Sequence, residues 1–230
     1  MMGAFSKDNC LHCDEQCDFS KFINSDTDEE LLRSMVKVHY KRKETIIKQN
    51  SLSSHLIFLR SGLVKVFTER RNDKNIILKL VAPNNFIGLS QLYSEVFNFS
   101  VIALKDSEVC LLPKENFYQL LSKKPELVNF FLESNTKFSD YLISKISSLG
   151  TKQMHGRLAD VILYLCNKEF DGTSVFDWIT RKDIAEMSGM SPESAIRLLT
   201  EFKNDGLIVT DGKKIEINNI ELISRLSEIG

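Results

Sequence analysis

Proline and glycine are scarce in this chain of 230 residues, at four and ten. Low-complexity linkers and long disordered tails draw on those residues, and neither is expected where apolar residues recur throughout. No apolar run approaches the roughly 18 residues of a membrane-spanning helix. The opening MMGAFSKDNC has no basic segment followed by an apolar one, which argues against a secretory signal. A soluble, cytoplasmic chain with no membrane partner is the expectation. A surplus of positive charge is also missing: 30 Lys and Arg stand against 31 Asp and Glu, a formal net charge of −1. That balance does not advertise a nucleic-acid binder, whose binding domain is often strongly basic. Catalytic signatures are absent too. The chain has no Gly-rich phosphate loop, no metalloprotease His pair and no serine elbow, so it does not read as an enzyme.

Five cysteines are present. An odd count in a cytoplasmic chain speaks against a disulfide framework. Cys10, Cys13 and Cys17 crowd into one short segment, while Cys110 and Cys166 stand alone. Cys166 falls on the amphipathic pattern HGRLADVILYLCNKEF and is expected as a small core residue. The four histidines, His12, His39, His55 and His155, have no metal-ligand spacing among themselves.

The length suits two domains. Within 19–35 a short helix is expected, with Asp26 or Thr27 as its cap. From about 36 to 112 the segments SHLIFLRSG, LVKVFTE, NIILKLVA, SVIALKD and EVCLLP recur roughly every ten residues between turn-like stretches. That spacing predicts an antiparallel sandwich or barrel. Gly62, Gly88, Asn50 and Asn72 are candidates for left-handed turn positions. KENFYQLLSKK predicts a short helix ending before Pro125, and a long helix follows over about 125–149. Its Leu127, Phe131, Phe138, Leu142, Ile146 and Leu149 recur every three, four or seven residues, which suits a dimerisation seam or a long helix packed only on its own domain. Gly150 marks a hinge, and DGTSVFDWI beyond it predicts a turn and a short strand.

The segment TRKDIAEMSGMSPESAIRLLTEFKNDGLIVTDGKKIEIN is the most informative. Thr180 caps a helix over Arg181–Met187, and Ser188-Gly189 ends it. Ser191 caps a second helix with Pro192 at its first position. LIVT and KKIEI form a hairpin turning at Asp211-Gly212. Helix, tight glycine turn, helix and hairpin make a winged helix-turn-helix, whose second helix enters the major groove of double-stranded DNA. Glu193 and Arg197, four apart, share a face of that helix. Glu can accept from cytosine N4 and Arg can bind guanine bidentately. Ser191 and Ser194 can reach phosphate or base, and Arg181, Lys182, Lys203, Lys213 and Lys214 can reach phosphates. An exposed Glu193–Arg197 ion pair with no DNA role is the plain alternative. Residues 151–230 hold ten Lys or Arg and thirteen Asp or Glu. Binding must therefore rest on charge gathered on one face and used twice in a dimer, with steep salt dependence.

With these motifs in order, residues 18–225 resemble the Crp/Fnr family of bacterial transcription regulators. LIFLRSGLVKVF, the NNFIGL stretch and DIAEMSGMSPESAIRLLTEFKNDGLI carry the resemblance. It implies an α+β chain: a cysteine-rich arm (1–17), a cyclic-nucleotide-binding-like antiparallel β-roll as sensor (18–124), a dimerisation helix and hinge (125–150), and a C-terminal winged helix-turn-helix (151–230). It also implies a homodimer that works with RNA polymerase, with Glu and Arg of the recognition helix at Glu193 and Arg197. Pro192 and Ile196 depart from the family's usual residues, which bears on the flanking bases of the half-site. The cyclic-AMP branch carries a Glu shortly after its FIG motif and an Arg-Ser or Arg-Thr pair for the phosphate. Here Leu89 follows Phe86-Ile87-Gly88, and the second region reads Phe97-Asn98-Phe99-Ser100. Without an Arg clamp, cyclic AMP is not the expected ligand. The oxygen-sensing Fnr-type branch holds a 4Fe–4S cluster on three N-terminal cysteines and one from the roll. Cys10, Cys13, Cys17 and Cys110 match that set, though the interval between Cys13 and Cys17 is shorter than in the best-known member. The alternatives are zinc on the same four cysteines or with His12 replacing one, metal-free thiols with haem, nitric oxide or another ligand sensed elsewhere, and a ligand-binding adaptor without DNA binding.

Overall fold

The computed structural model describes residues 5–6, 19, 22–23, 28–70 and 75–230. Contacts group the chain into two units, Met1–Thr68 with Leu80–Ser139 and Glu69–Lys79 with Asp140–Gly230.

Strands dominate the first unit. One sheet has β1 (Phe5–Ser6), β2 (Val36–Tyr40), β9 (Ser107–Pro113), β4 (His55–Ser61) and β7 (Asn85–Ile87), in that order. The other runs β3 (Thr45–Ile47), β8 (Ser100–Ala103), β5 (Val64–Thr68), β6 (Ile76–Val81). Val and Ile on these segments suit a pleated, half-buried surface. Four strands, β1, β2, β3 and β7, are not among the segments that periodicity picks out. β3 and β7 have only three residues each, too few for alternation to register. Gly62 makes the β4–β5 turn at φ +101°, and a Cβ there would stand 2.2 Å from Ser107 Oγ, so both backbone and space demand glycine.

The core of this unit lies where the first sheet meets α1 (Glu29–Ser34), α2 (Lys114–Lys123) and the start of α3 (Pro125–Thr151). Leu31, Leu32, Phe117, Leu120 and Leu127 bury against Leu56, Phe58, Phe86 and Leu112. Phe86 sits at the centre, 5.1 Å from Phe19 and 5.0 Å from Phe58 in edge-on contacts. Such pairs contribute about 0.5–1.5 kcal/mol each beyond area burial.

The second unit holds α4 (Met154–Leu165), α5 (Val175–Trp178), α6 (Arg181–Ser188), α7 (Pro192–Asn204), the β10–β11 hairpin (Ile208–Asp211, Lys214–Ile217) and α8 (Ile220–Ile229). α4 and α8 approach closely, since a Cβ on Gly156 would meet the Gly230 backbone at 2.7 Å. Four sequence expectations change. Val175–Trp178 is a helix, not a strand. α8 was not anticipated. Helix α3 continues through Gly150 to Thr151. Cys166 is exposed, because α4 ends at Leu165 and the C-cap leaves the buried face.

The apolar row expected along α3 is not one surface. Leu127 is buried in the first unit's core and Phe131 packs on that core, while Leu149 lines a cavity in the second unit. The outward row is Leu132, Ile143 and Ile146, at 57%, 66% and 69% exposure. Eleven and fourteen residues of helix bring these three back to nearly one direction.

Candidate nucleic-acid interface and sensor residues

Helix α6 starts in a reciprocal cap. Thr180 Oγ1 accepts from Asp183 N at 3.2 Å, and Thr180 N donates to Asp183 Oδ2 at 2.7 Å. Gly189 ends the helix at φ +61° and turns the chain into α7. Ser191 caps α7, its hydroxyl accepting from Ser194 N at 3.2 Å. Ala195, Leu198, Leu199 and Phe202 form the buried side of α7. At 100° per residue, Glu193 and Arg197 point away from that side, and both are exposed.

The two do not pair with each other. Arg197 Nη1 leans to Glu201 at 3.7 Å, and Glu201 is also within 3.0 Å of His155 Nε2. Glu193 turns back to the helix start, where its own backbone N–H and the Ser191 hydroxyl hold its carboxyl below the usual carboxylate range. The positive end of the helix favours the same ionised form. Glu193 therefore stays charged at neutral pH while its outer side faces solvent.

Phosphate candidates fall into two places. Arg181 Nη2 reaches the Gly212 carbonyl at 3.5 Å, which joins the start of α6 to the tip of the hairpin. Burial lowers the Arg181 pKa. Lys213 and Lys214 sit at that tip and Lys182 beside Arg181. Two of these are partly engaged: Lys182 lies 3.7 Å from Glu186, and Lys214 bonds Glu216, which raises its pKa. Lys203 stands apart, exposed in the last turn of α7. Ile196, which the sequence already marks as a departure from the family's usual residue, is half exposed on the outer face of α7.

In the first unit, Gly88 takes φ +76° after β7, with Phe99 against it. Phe97 and Phe99 are buried with ring centroids 5.8 Å apart, and Ser100 Oγ accepts from Gln49 N at 2.8 Å. Cys110 is 3% exposed on β9. Cys10, Cys13 and Cys17 lie outside the described residues. Among the described residues no group of three His, Cys, Asp or Glu could hold a metal ion. The backbone register is informative: Ser6 pairs with Lys37, and Lys37 pairs with Cys110. Two strand spacings, roughly 10 Å, therefore separate Ser6 from Cys110. Cys10 follows Ser6 by four residues, a span that covers up to about 14 Å extended.

Two family matches cover the chain in order: the cyclic nucleotide-binding domain over residues 37–124 and the Crp-like helix-turn-helix domain over 156–226. The chain belongs to the Crp/Fnr family of transcriptional regulators. It is 23% identical over 181 residues to the transcriptional activator protein FnrA of Stutzerimonas stutzeri, covering 77% of this chain and 74% of that one. It is 26% identical over 185 residues to the cAMP-activated global transcriptional regulator CRP of Salmonella typhimurium, covering 77% and 87%. The fold matches FixK2 of Bradyrhizobium japonicum with a TM-score of 0.73 at 16% identity, over 84% of this chain and 96% of that one.

As a Crp/Fnr regulator the chain binds DNA, and members of the family typically dimerise. The mixed helix-and-sheet architecture expected from sequence is the observed one, with the antiparallel roll, long helix and C-terminal helix-turn-helix in that order. No described helix is long and apolar enough to cross a membrane.

Proposed function

We propose that this Crp/Fnr regulator binds a twofold-symmetric duplex site as a homodimer, and that its sensor unit sets DNA affinity in response to oxygen or redox state. RNA polymerase is the onward partner of such a regulator. The outward face of α7 carries the DNA reading: Glu193 and Arg197 stand opposite the buried row, with neither spent on the other. Glu193 accepts from cytosine N4 and Arg197 donates to guanine O6 and N7. Ser191 and Ser194 serve the helix start, and Arg181, Lys182, Lys213, Lys214 and Lys203 supply phosphate contacts. The outward Leu132, Ile143 and Ile146 supply the seam between two copies. Half-sites about one helical turn apart follow from two copies of α7.

For the signal, we infer a 4Fe–4S cluster on Cys10, Cys13, Cys17 and Cys110. Thiolates are the ligands such a cluster takes, and it supplies an oxygen-labile redox centre when bound. The Ser6–Lys37–Cys110 register supports this reading, because it starts the cysteine arm beside the fourth ligand. Cyclic AMP fits less well, since Phe97 and Phe99 occupy the stretch where an Arg clamp would stand.

The two parts are tested separately. Footprinting on the DNA beside the gene should protect a symmetric site, with affinity falling steeply as salt rises. No specific protection would sink the DNA reading. Protein made without oxygen and replete in iron should carry iron and labile sulfide, lost on substituting Cys110. Absence of both from the unsubstituted protein would sink the cluster and leave the DNA reading standing.

A further inference from the structure

The second unit contains a cavity of about 360 Å³ that the DNA-reading face does not use. The last turns of α3, the body of α4, the end of α6 and Ser227 of α8 wall it. That volume is at the lower end of the range for small-molecule sites, roughly 300–1,000 Å³.

Three cations line it, Lys145, Lys152 and Arg157, against a single carboxylate, Asp160. Asp160 is already engaged on both oxygens. Lys152 Nζ donates to it at 2.9 and 3.0 Å, and the Ser148 and Ser227 hydroxyls donate as well. Among the described residues Lys145 and Arg157 make no ion pair of their own, and Asp160 acts on Lys145 only from a distance. Lys145 Nζ gives one hydrogen bond, to the Met187 carbonyl at 3.0 Å. Arg157 Nη1 reaches the Gly189 carbonyl at 3.2 Å, and its Nε is buried with no acceptor. Burial pushes the Lys145 ammonium down to about 8, with Asp160 opposing the shift. A buried donor without a partner is costly, and so is a cavity in which three cations share one carboxylate that is already hydrogen-bonded on both oxygens.

The remaining wall is apolar. Tyr141 and Tyr164 face each other with ring centroids 5.2 Å apart, and Val161 and Leu163 extend the surface. Tyr141, Lys145 and Ser148 recur at helical spacing on the side of α3 turned from Ile143 and Ile146, so pairing of two copies along that row leaves the cavity open.

We propose that this cavity binds a small organic anion with an aromatic or alkyl body and one carboxylate or phosphate head. The head sits between Lys145 Nζ and Arg157 Nε, and the body lies on the two tyrosine rings.

Calorimetric titration of the full chain with benzoate and with phenyl phosphate tests this, with benzyl alcohol as the neutral probe. One anion should bind saturably, once per chain and about tenfold or more tighter than benzyl alcohol, and the tighter one identifies the head. Lys145→Met removes the charge and Ser144→Phe fills the space from an exposed helix position. Each should weaken binding about tenfold or more, while Lys123→Met, an exposed lysine outside the cavity, should not. Thermal melting of each variant verifies its fold. No saturation by either anion up to about 10 mM would overturn the proposal. Benzyl alcohol binding as tightly as the anions, or affinity kept in both cavity variants, would overturn it equally.

Discussion

Three charged groups of the first unit are bonded on every side that is described, while two cations of the second make no ion pair among the described residues. In the first unit Lys124 bonds both Asp28 and the Phe22 carbonyl, and Glu108 takes Arg60 on one oxygen and His39 on the other. Lys114, which burial drives below the ordinary lysine value, still gives hydrogen bonds to the Gln91 and Ser94 carbonyls at 2.7 and 2.8 Å. The second unit has the same materials, and Asp160 is as fully used as Glu108. Yet Lys145 and Arg157 stand beside it with no ion pair of their own among the described residues. Closed charges hold a fold. Open ones cost stability unless something arrives to meet them, and Arg197 on the surface, loosely paired with Glu201 at 3.7 Å, stands nearest to the open set.

The largest expected effect comes from breaking a closed pair. Lys124→Met takes the ammonium from Asp28, whose side chain is 6% exposed, and should cost about 3–5 kcal/mol in urea unfolding. Adding Asp28→Asn should recover much of that loss. A cost below about 1 kcal/mol would mean that this pair is not closed in the sense argued.

Removing the open surface charge acts on binding and spares the fold. Arg197→Ala should weaken binding to a G·C-containing half-site by about 1–3 kcal/mol, roughly 5- to 150-fold. Unfolding should change little, because Arg197 is exposed and its Glu201 contact is a long surface pair. Equal weakening on specific and random duplexes in a gel shift would make Arg197 a phosphate contact.

Removing the open buried charge should stabilise the chain. With its ammonium at about 8 against an ordinary 10.5, Lys145 carries its full charge penalty in the folded state below pH 8. The penalty fades as pH rises toward 10.5, where both states are neutral. Lys145→Met should therefore gain about 1–2 kcal/mol at pH 7, and the gain should vanish near pH 10.5. A loss at pH 7 in the absence of added anions would place Lys145 with the closed charges.

Legibility from sequence followed the range of the interactions. The helix-turn-helix was readable because its signals are local: Thr180 and Asp183 are three apart, Ser191 and Ser194 are three apart, and Gly189 sits between the helices. The roll was readable as a strand class, but β3 and β7 were too short to show a period. α8 was passed over despite its Asn219 cap. The long helix misled, because its apolar residues serve two different units and an outward row, which one periodic pattern does not separate. The cavity had no sequence signal. Lys145 of α3 meets Arg157 and Asp160 of α4 only through tertiary packing, and each alone reads as an ordinary surface charge.

Helix caps carry the contrast down to its smallest scale. Thr180 and Asp183 exchange three hydrogen bonds, two donated by Thr180 and one by Asp183, at a partly buried site. Ser191 accepts one backbone bond at 3.2 Å on an exposed turn. The closed cap satisfies more of the orphan donors at a helix start, so Thr180→Ala should cost about 1–2 kcal/mol. Ser191→Ala should cost about 0.5 kcal/mol, near the bottom of the range for cap removal. The Ser191 hydroxyl also helps hold Glu193 below the usual carboxylate range. Its loss should therefore raise the Glu193 pKa in an NMR titration, a shift that Thr180→Ala should leave untouched. Equal stability costs for the two caps, with no movement at Glu193, would remove the distinction between a cap that only holds its helix and one that also prepares the reading face.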